Sequence, residues 1–279
     1  MNTASPTPAA PALDGLADDL ALALRLADAA DAQTLPRFDA ADLQVSRKAD
    51  RTHVTDADLA AERAIRELIT AERPQDAIFG EEFGRTDEAP RRWIIDPIDG
   101  TANFLRGVPA WGTMIALDIA GYPRLGVVSS PAMRRRWWAA EGLGAWTSVD
   151  GGEPRPIHVS GVDDLDDASV SFQSIAQWDG AGHLDALVAL SRRVWRDRAY
   201  GDIWAYMLLA EGRLEFVAEF DVKEYDLAAA AAIVTEAGGR MTSFTGAPSV
   251  AEGSALATNG VLHDAFLELL SSASPLAAP

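Results

Sequence analysis

Residues 94–104 read IIDPIDGTANF, and they place two carboxylates at the end of a buried strand. The apolar run before Asp96 is β-prone, and Pro97 stops regular strand pairing because it lacks an N–H and has a fixed φ. Asp99 follows after one turn of the chain. The carboxylates of Asp96 and Asp99 and the carbonyl of Ile98 can therefore face the same point.

Oxygen ligands at this density suit Mg²⁺, which keeps coordination positions for water and for a substrate phosphate. Gly100 permits a backbone conformation that β-branched residues rarely take, and Thr101 then opens a short helical turn. The N–H groups of these two residues could hold a phosphate oxygen. A simpler explanation of Asp96 and Asp99 also stands, as turn residues in a corner rich in Pro and Gly.

Further acidic segments accompany this one: KADRTHVTDAD at 48–58, GEE at 80–82 and EYDLAAAAAIVTEAGG at 224–239. Taken singly, each acid has a plain structural explanation. Asp58 is a first-turn carboxylate favoured by the helix dipole, Glu81 is a solvated acid at a strand end, and Asp226 is a helix N-cap. Only their joint occurrence with Asp96 and Asp99 calls for a functional explanation.

The four segments together resemble the inositol monophosphatase family. Both of its signature stretches are present, apolar-D-P-x-D-G-T and D-x-A-A…I-V-x-E-A-G-G, and the resemblance runs from about residue 13 to about residue 270. It implies a layered α-β-α-β-α sandwich of the sugar phosphatase type, with α+β and α/β parts, and a homodimer. The implied reaction is hydrolysis of a small phosphate monoester by a metal-activated water, without a covalent intermediate.

The resemblance also implies roles for individual residues. The implied ligands of two or three Mg²⁺ ions are Glu81, Asp96, the Ile98 carbonyl, Asp99 and Asp226. The residues implied to orient and activate the attacking water are Asp58 and Thr101, together with Glu81. Substrate contacts are implied for Asp99, Gly100, Thr101 and Asp226. Tyr225 departs from the family pattern, which commonly has Trp at this position, but an aromatic side chain is retained.

Within this family, the chain is most similar to the bacterial histidinol-phosphate phosphatase branch. The similarity lies in NFLRGVPAWGTMIAL, GVVSSPAMRRRWWAAEGLGAW, WRDRAYGD and ALATNGVLHD. Asp202 follows Gly201 where inositol phosphatases usually have Gly-Thr, and Glu219 and Arg198 align with substrate-binding positions. Acids near the organic part of the substrate could pair with its ammonium and imidazole groups. Alternatively, Asp202 caps a helix that begins near Ile203.

Two other functions stay open on the sequence alone. A phosphatase of the same family could act on inositol phosphate, a sugar bisphosphate or a 3′-phosphoadenosine nucleotide, although the nucleotide favours a more basic pocket than this chain suggests. The chain could also be a catalytically inactive family member with a regulatory role. Such proteins usually lose metal ligands, whereas every expected acidic position is filled here.

The composition limits the partners and the compartment. The chain has 279 residues and a formal net charge of −18, which disfavours nucleic acid and anionic membranes as partners. It has no cysteine, which excludes disulfides, thiolate nucleophiles and Cys-based zinc sites. There is no run of about 18 apolar residues, and the N-terminus lacks the pattern of a signal peptide. We therefore expect a cytoplasmic protein.

Gly and Pro residues divide the chain into predicted elements. We expect a flexible tail over residues 1–12, a metal-binding α+β half over 13–150 and an α/β half over 151–279, because strands and helices alternate in the last part. Helices are predicted over 13–32, 55–74, 183–193, 203–212 and 225–239. Strands are predicted over 92–96, 113–119, 124–130, 135–140, 169–174, 194–201 and 214–220.

Overall fold

The computed structural model describes residues 15–48, 52–86 and 88–272, so the predicted tail over residues 1–12 lies outside the described part. The α-helices of this part are α1 (Leu16–Thr34), α2 (Asp56–Glu72), α3 (Thr101–Phe104), α4 (Ile175–Gly180), α5 (Leu184–Ser191), α6 (Asp202–Ala210), α7 (Glu224–Glu236) and α8 (His263–Ser272). None of the helices in these residues is both long enough and apolar enough to span a bilayer.

The strands of the described residues form two large sheets and one small ladder. In chain order they are β1 (Val45–Arg47), β2 (His53–Thr55), β3 (Ala77–Gly80), β4 (Gly84–Arg85), β5 (Arg91–Asp99), β6 (Gly112–Ile119), β7 (Tyr122–Ser130), β8 (Arg135–Ala140), β9 (Gly144–Val149), β10 (Arg155–Pro156), β11 (Ser169–Phe172), β12 (Arg196–Arg198), β13 (Phe216–Phe220), β14 (Arg240–Thr242) and β15 (Ser254–Thr258). The eight-stranded sheet has the order β10-β9-β8-β7-β6-β5-β3-β4, and the five-stranded sheet has the order β12-β11-β13-β15-β14. β1 pairs with β2.

The two sheets alternate with three layers of helices. α1 and α2 pack on one face of the eight-stranded sheet, while α6 and α7 lie between the two sheets. α4, α5 and α8 cover the outer face of the five-stranded sheet, where Phe266 of α8 joins Phe216 and Leu256 in one apolar cluster. The predicted layered α-β-α-β-α sandwich is confirmed.

The first two helices form where their sequence patterns predict them. α1 buries Leu22 and Leu26 completely, and each such side chain contributes about 2 kcal/mol on burial. Thr55 is the N-cap of α2, because its hydroxyl accepts the Asp58 N–H while the Asp58 carboxylate accepts the Thr55 N–H. The helix ends at Glu72, two residues before Pro74.

Strand β5 differs from the prediction at its carboxyl end. We predicted an end at Asp96, but the strand continues to Asp99 with a shift in register. Asp96 pairs with Met114 and Asp99 pairs with Gly112, so three steps along β5 match two along β6. This is a bulge between Asp96 and Asp99 that contains Pro97, whose missing N–H interrupts the pairing without ending the strand.

Helix α7 reaches both sheets because its middle consists of small residues. Ala229 lies so close to β7 that a Cβ built on Gly126 would fall 2.3 Å from the Ala229 carbonyl oxygen. Glycine on the strand and alanine on the helix therefore let the two backbones approach closely. This contact sets how closely α7 packs against β7.

The other predicted elements are present with small differences in length. Strand 135–140 has the predicted bounds, whereas β12 is limited to Arg196–Arg198 and β11 ends at Phe172. The division at residue 150 stays a prediction, and β10 lies just beyond it and pairs with β9. Beyond this point the predicted alternation of strands and helices is confirmed.

Candidate active site

Two adjacent parallel strands deliver the first acids to one edge of the larger sheet. β3 and β5 run parallel with Gly80 opposite Ile95, and the Glu81 N–H donates to the Ile95 carbonyl at 3.1 Å. Glu81 and Asp96 therefore follow matched positions at the carboxyl ends of neighbouring strands. Loops at this edge of a parallel pair are common positions for ligand sites.

Asp96, Asp99 and Asp226 form the centre of the site. Each contributes a carboxylate oxygen to a group in which all three oxygens lie within 4.8 Å of one another. The bulge in β5 brings Asp96 and Asp99 together, while Asp226 comes from the first turn of α7. Three carboxylates at this separation repel one another strongly unless protons or cations are present.

Local hydrogen bonds hold each of these carboxylates in place. Asp96 Oδ1 accepts the Ile98 N–H at 3.0 Å, and Asp226 Oδ2 accepts the Lys223 N–H at 2.7 Å. Asp99 Oδ2 accepts the Ile203 N–H at 2.5 Å. Asp99 thereby satisfies a backbone donor in the first turn of α6.

Asp58 and Glu81 lie close enough to Asp96 for their charges to raise its pKa. The Asp58 Oδ2 atom accepts both the N–H and the hydroxyl of Thr55, at 2.8 and 2.6 Å. Its other oxygen is buried and has no hydrogen-bond partner among the described residues. Lys48 Nζ lies 2.7 Å from one oxygen of Glu81 and 2.7 Å from one oxygen of Glu82.

The turn after β5 has the conformation that the sequence predicts. Gly100 has φ 83°, and α3 begins at Thr101. A side chain at Gly100 would approach the Ala110 carbonyl oxygen at 3.0 Å, so glycine suits this position for both reasons. The Thr101 hydroxyl donates to the Ile98 carbonyl at 3.0 Å, which places both of these predicted functional groups in one turn.

The electrostatics of the site disfavour a fully ionised set of carboxylates. Burial raises the pKa of Asp96 and of Asp99 well above the usual range, and nearby carboxylates, Glu81 and Asp202 respectively, raise it further. Burial also raises the pKa of Asp58 and of Asp226 to about 6. The site therefore favours protons or cations, as expected of functional clusters.

Helix N-termini partly offset this crowding. Asp58 and Asp226 are each the third residue of a helix, and Asp99 contacts the beginning of α6. The partial positive charge at a helix N-terminus stabilises carboxylates and also attracts anions such as phosphate. The fold thus directs three helix N-termini toward one acidic cluster.

A pocket of about 130 Å³ continues from this cluster. Its lining residues are Asp99, Gln173, Asp202, Tyr206, Glu219, Asp221, Val222 and Asp226. Glu219 is almost fully buried, and the Tyr206 hydroxyl donates to its Oε2 at 3.0 Å. Glu219 Oε1 is buried and unpartnered within the described part of the chain. Burial raises the pKa of Glu219 to about 8.

Asp202 contributes to this pocket and does not act as a side-chain cap. Its carboxylate accepts from Asn103 Nδ2 at 2.8 Å, and the N–H of Ile203 donates to Asp99. Asp202 also has φ 48°, a left-handed conformation that Asp tolerates better than most residues. The alternative in which Asp202 caps the helix is therefore wrong for this structure. Burial raises its pKa, against the hydrogen bond from Asn103.

The oxygen-rich cluster fits the ligand preferences of Mg²⁺. Its central donors are carboxylates, and the Ile98 carbonyl lies in the same turn. The buried, unpartnered oxygen of Asp58 and the raised pKa values indicate missing positive charge. These observations agree with a divalent cation site.

The sequence matches the model of the inositol monophosphatase family over residues 17–274. The chain belongs to this family. It is similar to the histidinol-phosphatases of Streptomyces coelicolor and Mycobacterium tuberculosis, each 51% identical over 91% of this chain and 97% and 98% of the relative. It also resembles the solved structure of an inositol monophosphatase from Zymomonas mobilis, with 32% identity, a TM-score of 0.80 and coverage of 92% of this chain and 99% of that chain.

The predicted membership of the inositol monophosphatase family is thus confirmed, and the 51% identity to two histidinol-phosphatases shows that the chain is a phosphatase. Of the predicted site residues, the structure gathers Asp96, Asp99 and Asp226 into one group, with Asp202 and Glu219 in the adjoining pocket. Their individual roles stay predictions.

Arg198 is the predicted site residue that the fold leaves apart. It lies on the edge strand β12, its side chain is exposed, and it donates to the Asp197 carbonyl at 2.6 Å. It does not line the pocket beside Glu219. Its role as a substrate contact stays a prediction.

Several pocket residues were missed by the sequence analysis. Gln173 and Asp221 follow β11 and β13, which are parallel neighbours, so both lie at the carboxyl edge of this pair. Tyr206 lies one helical turn after Asp202, on the same face of α6. The strand ends and the helical spacing were the signals that could have identified them.

Proposed function

We propose that this phosphatase hydrolyses L-histidinol phosphate to L-histidinol and inorganic phosphate, using magnesium and a water nucleophile. The observation that carries the substrate assignment is the acidic pocket beside the carboxylate cluster. Glu219 offers an unpartnered, buried oxygen there, and Asp202 lies nearby. The 51% identity to two histidinol-phosphatases supports the same substrate.

The metal would be held by the acids at the centre of the site. Their proposed set is Glu81, Asp96, the Ile98 carbonyl, Asp99 and Asp226, for two or three ions. Bound Mg²⁺ supplies charge neutralisation at the phosphoryl group and lowers the pKa of a coordinated water. The remaining chemistry depends on residues of the chain itself.

Asp58 would act on the attacking water. Its unpartnered oxygen can accept a proton, and its pKa of about 6 is close to the value that suits a general base near neutral pH. Thr101 would help to orient this water. In the structure its hydroxyl donates to the Ile98 carbonyl, so this role requires that hydroxyl to be shared or to rotate.

The organic part of the substrate would occupy the acidic pocket. The organic part of histidinol phosphate carries an ammonium group and an imidazole, whereas the organic part of inositol phosphate carries only hydroxyl groups. A cation beside Glu219 would favour its ionised form and overcome the effect of burial, which raises its pKa to about 8. The resulting charge-assisted hydrogen bond would distinguish the two substrates.

The wider biological assignments belong to the same proposal. We propose a cytoplasmic homodimer that acts in histidine biosynthesis and does not bind nucleic acid. The net charge of −18 supports the last point, because a nucleic-acid phosphate backbone would be repelled.

The test compares phosphate release from L-histidinol phosphate and from inositol 1-phosphate, each with Mg²⁺ and with EDTA. We expect a Mg²⁺-dependent preference for histidinol phosphate of about a hundredfold in kcat/KM, which equals roughly 2.7 kcal/mol of transition-state discrimination. Equal or reversed preference would reject the substrate and leave the metal chemistry in place. Absence of release from both, with Mg²⁺ present, would favour an inactive family member.

A further inference from the structure

A buried glutamate outside the metal cluster holds the turn that carries Glu81. Glu62 lies on α2, one helical turn after Asp58, and its side chain is completely buried. It accepts the Glu82 N–H on Oε2 at 2.7 Å and the Phe83 N–H on Oε1 at 3.1 Å. A buried carboxylate that binds two consecutive backbone donors fixes the conformation of that backbone.

The backbone around Glu81 is consequently held on both sides. Its own N–H donates to Ile95 of the neighbouring strand at 3.1 Å, and the next two N–H groups donate to Glu62. Arg66 completes the arrangement, because its Nε donates to Glu62 Oε1 at 2.7 Å and its Nη2 donates to the Gly84 carbonyl. The Glu62–Arg66 pair thus contacts both donors and an acceptor of the turn between β3 and β4.

Gly80 shows how closely this carboxylate fits against the turn. A Cβ built at Gly80 would lie 2.0 Å from Glu62 Oε1. Gly80 has no positive φ, so the need for glycine here comes from the position of the Glu62 side chain. Glycine at position 80 therefore leaves the space that the Glu62 carboxylate occupies.

We propose that Glu62 is a positioning residue that fixes the orientation of Glu81 toward the metal centre. The inference rests on the proposed function only in taking Glu81 as a metal ligand. Glu62 itself bonds to backbone groups and to Arg66, and it is not part of the carboxylate cluster. Its removal should loosen metal binding without removing a ligand.

The sharpest variant is Glu62→Gln. Oε1 receives two donors, from Arg66 and Phe83, so the amide oxygen should occupy that position. The amide NH₂ then replaces Oε2 and faces the Glu82 N–H, donor against donor. The lost bond is the one at the residue directly after Glu81. Glu67→Gln is the matched control, since Glu67 is an exposed glutamate of the same helix.

Mg²⁺ binding is measured by titration calorimetry without substrate, and kcat is measured over a range of Mg²⁺ concentrations. We expect Glu62→Gln to weaken Mg²⁺ binding about tenfold and to recover a kcat within about threefold of the original protein at saturating Mg²⁺. Glu67→Gln should bind Mg²⁺ like the original protein. A folded Glu62→Gln protein with unchanged Mg²⁺ affinity would overturn the positioning role.

Two further variants separate the possible failures. Glu81→Gln should weaken binding and stay slow even at saturating Mg²⁺; if it binds Mg²⁺ normally, the metal assignment of the proposed function fails. If Glu62→Gln does not fold, Gly80→Ala decides, because its methyl group would displace the Glu62 carboxylate while all charges remain. Weaker Mg²⁺ binding by Gly80→Ala supports the inference, and unchanged binding overturns it.

Discussion

Glu219 shows how one side chain can be prepared for a cationic substrate. Glu219 lines the pocket, Tyr206 donates to one of its oxygens, and the other oxygen is buried without a partner among the described residues. The hydroxyl of Tyr206 therefore orients the carboxylate and leaves one acceptor for a ligand. An unsatisfied buried acceptor is costly in the free protein and is best explained by a group that binds there.

We predict that Glu219→Gln lowers kcat/KM for L-histidinol phosphate by about 10- to 100-fold, because a charge-assisted hydrogen bond is lost. Inositol 1-phosphate should be affected less, since it has no cation to pair with. Glu252→Gln, at an exposed glutamate, is the control. Steady-state kinetics with both substrates measure the effect, and an equal loss with both would contradict a role in recognising charge.

At this scale, the sequence predicted the features of the site that depend on local patterns, and it did not predict those that depend on contacts between distant residues. The spacing of Asp96, Gly100 and Thr101 in one segment predicted the turn, and Asp58 lies in the first turn of α2 as predicted. The Asn103 bond to Asp202 joins residues 99 positions apart, which no local pattern specifies. The exposure of Arg198 was likewise not visible from the residues around it in the sequence.

Among the elements, α7 depends most on a single close approach. We predict that Gly126→Ala destabilises the protein by about 1–3 kcal/mol, because the new methyl group would lie 2.3 Å from the Ala229 carbonyl oxygen and must push helix and strand apart. Gly161→Ala is the control, since a Cβ there meets nothing within 4 Å. Denaturant unfolding measures both, and equal stability of the two variants would reject this packing account.

Helix α8 begins with a histidine that is buried in its neutral form. His263 lies between the hydroxyls of Thr242 and Thr258, at 3.2 and 2.9 Å, and burial lowers its pKa to about 4. The unfolded chain binds a proton at this group below about pH 6.5, whereas the folded protein does not until about pH 4. The stability from His263 is therefore present above pH 6.5 and is lost as the pH falls through this window.

We predict that the stability difference between the original protein and His263→Gln shrinks by an amount on the order of 2 kcal/mol between pH 7 and pH 5. The other titrating groups contribute equally to both proteins, so their effect drops out of the difference. Their free energies of unfolding from urea titrations at each pH give the difference. A difference that stays constant across this range would contradict the neutral, buried state of His263.

Some element bounds followed from the sequence, and others did not. The strand 135–140 was predicted with its observed bounds, and α2 begins at Asp56, one residue after the predicted start. Pro97 misled the prediction for β5, because its missing N–H can be accommodated by a bulge as well as by a strand end. Which outcome occurs depends on β6, and therefore on tertiary pairing.

For the whole molecule, the carboxylate cluster makes the free energy of unfolding depend on pH and on Mg²⁺ binding. Burial raises the pKa of Asp58 and Asp226 to about 6, so the metal-free folded protein binds more protons than the unfolded chain between about pH 4 and pH 6. The contribution of these two groups to the free energy of unfolding is therefore present at low pH and is lost as the pH rises through that window. Glu219 extends the same effect toward pH 8.

Mg²⁺ should replace those protons. We predict that the increase in Tm on adding Mg²⁺, relative to EDTA, grows by about 5 °C or more between pH 5 and pH 8. Thermal unfolding at each pH, with and without Mg²⁺, measures the difference. Titrating groups that do not respond to the metal affect both Tm values equally and drop out of the comparison. A shift independent of pH would contradict competition between protons and the cation.

The layered architecture was predictable from the family resemblance and from the alternation of strands and helices, and the structure confirms it. The way in which α7 joins the two sheets was not predictable, because it depends on the fit of Gly126 against Ala229. That same helix brings Asp226, from the second half of the chain, to acids delivered by the first sheet. The site therefore exists only in the assembled fold.

The central claim, that Asp96, Asp99 and Asp226 bind magnesium, is tested most directly by titration calorimetry of Mg²⁺ without substrate. We predict that Asp96→Asn loses about 100-fold or more in affinity, because a ligand charge is removed. Asp31→Asn, at a partly buried aspartate of α1 that bonds to Ser129 and Arg136, should bind as the original protein does. Equal Mg²⁺ affinity of Asp96→Asn and the original protein would contradict the account.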